Sequence, residues 1–410
     1  MSDLTQFSPA RPPDTPRWFR PGTFLAGFAG ALVLLSVAGV WLGRQDRHPD
    51  FTRFHPFISP EAQYYPTIAE MGAIVRARCR PNQVLVIVGG NSIFYGVGQP
   101  AGKMWTRRLQ ELLGDRYCVI NLAFRGASAS DGAAVVAEVL RDEFPRQIYV
   151  ANVGPMQGID PTGSDPYRFM FWEAYYKDLL MDYAPRTRSV GQHYQENARD
   201  HRARLEIIGR VWLDRWLHFR DVWNYVTMEW ICTIPSAYQP ALPQVHWPRK
   251  RFADTEPDFA DIPRASRFRR DLVDTELRII RGSTEAFYQR SGDGRWQLAE
   301  WKRKDVDTFI RMAMPEALRR RTLIVVSQNS PYYVDRLAPG ERERDEQGYR
   351  DTLEIWRGAG YHAATYPNDF NAADYGDRTH LTVAGGRKLA AMVADNIRAM
   401  AVECGYGSAP

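Results

Sequence analysis

Apolar and polar positions follow two periods along this chain. Short continuous apolar runs at 84–88, 118–122, 148–153 and 322–327, with a weaker one at 362–366, have the length and β-branched content of buried strands. Between and around them, residues 67–79, 103–113, 132–141, 306–320, 349–359 and 383–402 repeat their apolar positions at helical spacing. Strands apolar on both faces, alternating with amphipathic helices, predict an α/β fold with a central parallel sheet covered on both sides. The alternation breaks off between 160 and 302. One α/β domain, 63–160 with 302–404, is therefore expected to carry a large, mainly helical insertion at 161–301.

Ahead of this domain, residues 21–43 hold no charged side chain and are rich in Phe, Leu, Val, Ala and Gly. About 20 apolar residues suffice for a helix to cross a bilayer, and Trp41 suits the interface. The run is longer than the usual core of a signal peptide, which favours an uncleaved transmembrane anchor. Residues 1–20, Pro-rich and polar, read as a cytoplasmic tail, and 44–62 as a linker. Arg11, Arg17 and Arg20 precede the span, while Arg44, Arg47 and Arg53 follow it beside Asp46 and Asp50. That balance gives a small bias toward a cytoplasmic N-terminus and an external body. Within the insertion, Trp212, Trp216, Trp223 and Trp230 share one side of a helix, and 167–183 is a second aromatic-rich helical stretch. The expectation is that these rings form the insertion's core or its contact with the sheet; a surface facing the bilayer interface or a membrane partner is the alternative.

With 410 residues and 44% hydrophobic content, the chain can bury a large core. A net charge of +5 is small for this length, and the basic clusters Arg249-Lys250-Arg251, Arg269-Arg270 and Arg319-Arg320-Arg321 are scattered. They read as solvated surface, so no nucleic-acid partner is expected. The four cysteines, Cys79, Cys118, Cys232 and Cys404, show neither metal-ligand spacing nor a Cys-x-x-Cys pair. If the first two strands are neighbours, Cys79 and Cys118 are either disulfide-bonded in an oxidising compartment or two buried thiols. No phosphate-binding Gly loop and no Cys/His cluster is present, so neither cofactor nor metal is expected.

The strand at 84–88 runs directly into Gly90-Asn91-Ser92-Ile93-Phe94-Tyr95-Gly96. A small, Gly-flanked turn at a strand's carboxyl end presents its next polar side chain where open α/β sheets place ligands, which makes Ser92 a candidate nucleophile. Far along the chain, Asp377-Arg378-Thr379-His380-Leu381-Thr382 stands just before the last helix. An Asp three residues before a His can hold the Nδ1 proton and aim Nε2 at a hydroxyl. Each motif alone is common. Their placement, one after the first strand and one before the final helix, lets both meet at the sheet's carboxyl edge.

These residues resemble the SGNH/GDSL hydrolases. Their first block, Gly-Asp-Ser-x-x-x-Gly, is similar to Gly90–Gly96 with Asn91 in place of Asp. Asn121 to Gly126 is similar to their second block, and Asp377 to Leu381 to their last. The resemblance implies a flavodoxin-like three-layer sandwich, with Ser92 as nucleophile, His380 as general base and Asp377 as its orienting partner. It also implies an oxyanion hole built from the N–H groups of Ser92 and Gly126. In the third block, Gly154-Pro155-Met156-Gln157 puts methionine where the family has its oxyanion-binding asparagine, with Gln157 and Asn152 as candidate substitutes. A Pro-x-Gln run here, behind one N-terminal span, resembles envelope acyltransferases of the type that transfers D-alanyl groups to teichoic acid. The likeness implies a serine O-acyltransferase or esterase on the outer side of a bacterial inner membrane. Its substrate would be an envelope or secreted polysaccharide, and its partner a membrane-bound O-acyltransferase. An inactive glycan-binding or assembly protein of the same fold is the alternative.

Overall fold

A computed structural model describes residues 21–45, 51–54, 66–157, 216–229, 258–292 and 294–407, with positions 174, 179–181, 209 and 213 between them. Helix α1 (Pro21–Gly43) has a mean hydropathy of 2.2 over its most apolar stretch. At 1.5 Å per residue it is about 35 Å long. Among the described residues it is the one helix long and apolar enough to cross a membrane.

The body begins with α2 (Ile68–Arg78), whose first turn is capped by the Thr67 hydroxyl accepting from the Glu70 N–H. There follow β1 (Val84–Val88), α3 (Ser92–Tyr95), α4 (Trp105–Leu113), β2 (Tyr117–Asn121), α5 (Gly132–Val139) and β3 (Gln147–Val153). The insertion contributes α6 (Phe219–Glu229), α7 (Arg270–Phe287) and an antiparallel pair, β4 (Tyr288–Arg290) with β5 (Trp296–Leu298). The chain then returns through α8 (Glu300–Ala313), β6 (Thr322–Val326), α9 (Pro339–Gly358), β7 (His362–Thr365) and α10 (Val383–Glu403).

Five strands form one parallel sheet in the order β2-β1-β3-β6-β7. Counting sheet strands along the chain, this is the doubly wound order 2-1-3-4-5, with its switch point between β1 and β3. The pleat decides which layer each side chain joins. Val84, Val86 and Val88 pack with Trp105 and Leu109 of α4 and Leu389 and Val393 of α10. Leu85 and Ile87 point the other way, toward Ile74 of α2, Val135 of α5, Phe309 of α8 and Trp356 of α9. Helices therefore cover both faces, and the apolar runs that announced the strands are buried at every position of β1, β3 and β6.

The structure differs from the sequence expectation in places with clear causes. The helix expected over 306–320 starts earlier and ends at Ala313, because extended Met314 leads into Pro315 and a separate short turn, Glu316–Arg319. Helix α9 starts at Pro339 rather than 349. Its first half carries charged residues with no apolar stripe, and is instead started by Pro at the first turn and by the Glu341 carboxylate accepting from the Ala338 N–H at 2.8 Å. The β4–β5 pair was not expected in a mainly helical insertion. Of the segment read as a linker, 51–54 packs into the body: Phe51 and Phe54 are buried, and fully buried Arg53 donates to the carbonyls of Tyr95, Gly96 and Gln99. Cys79 and Cys118 form a disulfide with Cα atoms 5.6 Å apart, as the adjacency of β1 and β2 allows. Trp216 and Trp223 are 56% and 53% exposed, so they are not core. The 1–20 tail, Trp212, Trp230, Cys232 and most of 167–183 lie outside the described residues.

Candidate active site

Strand β1 ends at Val88 and runs into Gly89-Gly90, where Gly90 turns with φ +95°. A Cβ there would lie 2.3 Å from Asn152 Oδ1, so only glycine lets the turn lie this close to β3. Asn91 caps α3, its side-chain oxygen accepting from the Ile93 N–H at 3.0 Å. The Asn91 N–H donates to Asn152 Oδ1 (3.1 Å), while Asn152 Nδ2 donates to Asn91 Oδ1 (2.8 Å) and Ser327 Oγ (3.1 Å). The carboxyl ends of β1, β3 and β6 are thus laced together beneath Ser92.

The second element is a tight loop ahead of α10, closed by the Gly376 N–H on the His380 carbonyl at 2.8 Å and by a bridge between Tyr375 and Leu381. Asp377 Oδ1 accepts from the N–H groups of Thr379 (2.9 Å) and His380 (2.8 Å), and its Oδ2 lies 2.6 Å from His380 Nδ1. His380 Nε2 is 2.8 Å from Ser92 Oγ, across 288 residues of sequence. Burial raises the Asp377 pKa, but the hydrogen bonds from the His380 ring and the two N–H groups outweigh it, leaving the carboxyl below its ordinary value. An ionised carboxylate on Nδ1 selects the tautomer whose Nε2 accepts the serine proton.

The serine and histidine open onto a cavity of about 470 Å³. One wall is apolar, from Ile279, Ile280 and Phe287 at the end of α7. Opposite chemistry comes from Asn329, Asp345 and Arg378. Arg378 donates to Asn329 Oδ1 (2.8 Å) and to Glu276, and Asn329 Nδ2 donates to Asp345 Oδ1 (3.1 Å). The Asp345 carboxyl is 2% exposed, its Oδ2 has no hydrogen-bond partner, and burial pushes its pKa up to about 6. A strap from the insertion covers the imidazole. The Phe259 N–H binds the Gly98 carbonyl at 3.0 Å, and the ring packs closely on Gly98 and Gly376 and meets His380 edge-on at 6.4 Å.

Of the oxyanion candidates, Ser92 and Gln157 line the cavity, Gln157 with its Oε1 accepting from the Gly154 N–H at 2.9 Å. Asn152 is fully buried, with its amide hydrogens spent on Asn91 and Ser327; it braces the turn instead. Gly126 is exposed in the loop after β2, with φ +76°, and does not line the cavity. Met156 lines it in the left-handed region (φ +53°), held by its N–H on Thr352 Oγ1 at 2.7 Å. Sequence reasoning missed Asn329, Asp345, Arg378 and Phe259. Asn329 was within reach, since it follows β6 as Ser92 follows β1, and Arg378 lies inside the Asp-x-x-His motif. Nothing along the chain marks Phe259. Among the described residues, no group of three His, Cys, Asp or Glu side chains is placed to hold a metal.

No protein-family model and no curated protein matches the chain. A chain in a crystal structure aligns over 78% of this chain and 98% of its own length, at 12% identity and a TM-score of 0.29. A likeness at that level carries no argument about fold or activity.

Proposed function

We propose that the chain is a membrane-anchored serine acyltransferase or esterase of the SGNH type, acting on O-acyl groups of an envelope or secreted polysaccharide. The observation that carries this reading is the Ser92–His380–Asp377 relay, with contacts of 2.8 and 2.6 Å at the sheet's carboxyl edge. Ser92 Oγ attacks the acyl carbonyl while His380 Nε2 takes its proton. The N–H of Ser92 and the amide of Gln157 receive the developing oxyanion. The donor's oxygen leaves with the proton from His380, and the acyl group stays on Ser92 as an ester. His380 then deprotonates a sugar hydroxyl or a water, which takes the acyl group and restores the serine. The apolar wall of α7 and the Phe259 strap support transfer over hydrolysis by limiting water at the acyl-serine. The apolar α1 and the Cys79–Cys118 disulfide support a body outside the cytoplasmic membrane, in an oxidising compartment. There a membrane-bound O-acyltransferase would supply the acyl group.

The full chain is expected to release p-nitrophenol from an activated acetyl ester, and Ser92→Ala to lower that rate by at least about 10³-fold. A second reading, an inactive glycan-binding or assembly protein, draws on Met156 at the third block and on the spent amide of Asn152, which leave the oxyanion hole short of a side-chain donor. It prevails if wild type and Ser92→Ala are equally inert and a serine-directed phosphonate fails to label Ser92.

A further inference from the structure

The carboxyl end of α1 does not stand clear of the rest of the molecule. Gly39, Leu42 and Gly43 are buried. A Cβ on Gly39 would lie 2.5 Å from the His218 Cβ, and one on Gly43 would lie 2.9 Å from Asp221 Oδ1 and 3.1 Å from the Ala69 Cβ. Small residues at these two positions allow the backbone of α1 to approach α6 and α2 directly. Ser36 Oγ donates to the Trp216 carbonyl at 2.6 Å, next to the break where His218 takes φ +48°. Asp221, buried at the start of α6, accepts at 2.5 Å from the hydroxyl of Thr67, the cap of α2. One junction therefore ties the apolar helix, the insertion and the first helix of the α/β body together.

Around this junction, large apolar side chains stay on the surface. Trp41 is 62% exposed, Trp216 56%, Phe219 48% and Trp223 53%, and the rings of Phe219 and Trp223 stack at 6.5 Å. Ser36 precedes Gly43 by seven residues, about 10 Å of helical rise. Trp216, bonded to Ser36, thus lies about that far inside the end of the apolar helix, close to the 5–10 Å depth at which interfacial helices seat their apolar face. Trp is favoured at that level because its ring is apolar and its N–H polar. Exposed aromatic rings grouped beside a long apolar helix form one continuous apolar surface of the kind that marks a membrane interaction.

We propose that the segment carrying Trp216, Phe219 and Trp223 is an interfacial membrane element that enters the headgroup–acyl boundary around α1 and fixes the body in one orientation on the bilayer. The inference rests on α1 spanning the membrane. It makes the body a docked domain, with the mouth of its cavity at a set height above the lipid, rather than a domain on a free tether.

The test uses the full chain in phosphatidylcholine vesicles whose acyl chains are brominated near the headgroup, which quenches tryptophan on contact. Trp41→Phe is expected to remove part of the quenched emission, and the double variant Trp216→Phe/Trp223→Phe a further, separate part. If the double variant shows the same quenched emission as wild type while Trp41→Phe lowers it, the span stands and the proposal is overturned, the rings then facing protein or water. If bromination quenches none of the proteins, α1 is not in the bilayer, and both readings fail together.

Discussion

Asp377 accepts hydrogen bonds from the N–H groups of Thr379 and His380 and from the His380 ring, so its charge both shapes the loop and orients the imidazole. Asp377→Asn is expected to keep the fold while lowering esterase turnover by about 10³- to 10⁴-fold, since an amide favours the wrong imidazole tautomer. Because the folded pKa is depressed, the carboxylate stabilises the fold above its ordinary value and loses that effect as pH falls through the depressed one. The stability gap between wild type and Asp377→Asn, read by urea denaturation, should therefore close only toward acid. Asp345 has the opposite sign. Its pKa is raised from 3.8 to about 6, so the folded state holds a proton that the unfolded state releases, and stability falls as pH rises through that window. Asp345→Asn should abolish this fall and stabilise the protein at pH 7 by roughly 2–3 kcal/mol, measured as denaturation midpoints at pH 4.5 and 7.

At the scale of elements, the strap at Phe259 and the end of α7 border the approach to Ser92 and His380. Phe259→Ala is expected to leave the hydroxyl–imidazole contact in place and to open the imidazole to water. Hydrolysis should then rise relative to acyl transfer to an added sugar acceptor, by several-fold in product ratio, read from released acid against acylated sugar. An unchanged ratio would show that the strap does not control water. Elements also differ in how legible they are. Strands β1, β3 and β6 sit where continuous apolar runs placed them, because a strand buried on both faces has no polar position to hide its pattern. The first half of α9 was invisible because its side chains are charged or polar, buried Asp345 among them, and its helix is fixed by end effects instead of an apolar stripe. The β4–β5 pair, three residues a strand, is too short for any periodicity to declare itself.

For the molecule as a whole, the disulfide between Cys79 and Cys118 joins the end of α2 to the second strand across 39 residues. Its chain-entropy value for a loop of that size is about 4 kcal/mol, so Cys118→Ser, or reductant, should lower the urea midpoint of unfolding with little change in the esterase rate of the folded protein. Unchanged midpoints would show that the reduced chain keeps this part of the body closed by packing alone. The same assembly logic joins the segment that follows α1 to the site. Arg53, arriving from α1, donates to the carbonyls of Tyr95, Gly96 and Gln99 directly behind the turn that carries Ser92.

What the chain determined unaided was its alternation of buried strands and covering helices, the long apolar helix at its start, and the two short motifs whose Ser92, His380 and Asp377 side chains meet in one hydrogen-bonded line. Each of these is local, written in periodicity or in neighbours a few residues apart. Tertiary structure alone decided the rest: that Asn152, a candidate oxyanion donor, has its amide hydrogens on Asn91 and Ser327, that Gln157 but not Gly126 lines the cavity, that Asn329, Asp345 and Arg378 line it too, and that Phe259 packs edge-on to His380. It also left Trp216 and Trp223 on the surface. These outcomes depend on which strand edges lie side by side and where the insertion returns, and such contacts, made across tens to hundreds of residues, leave no period in the sequence to read.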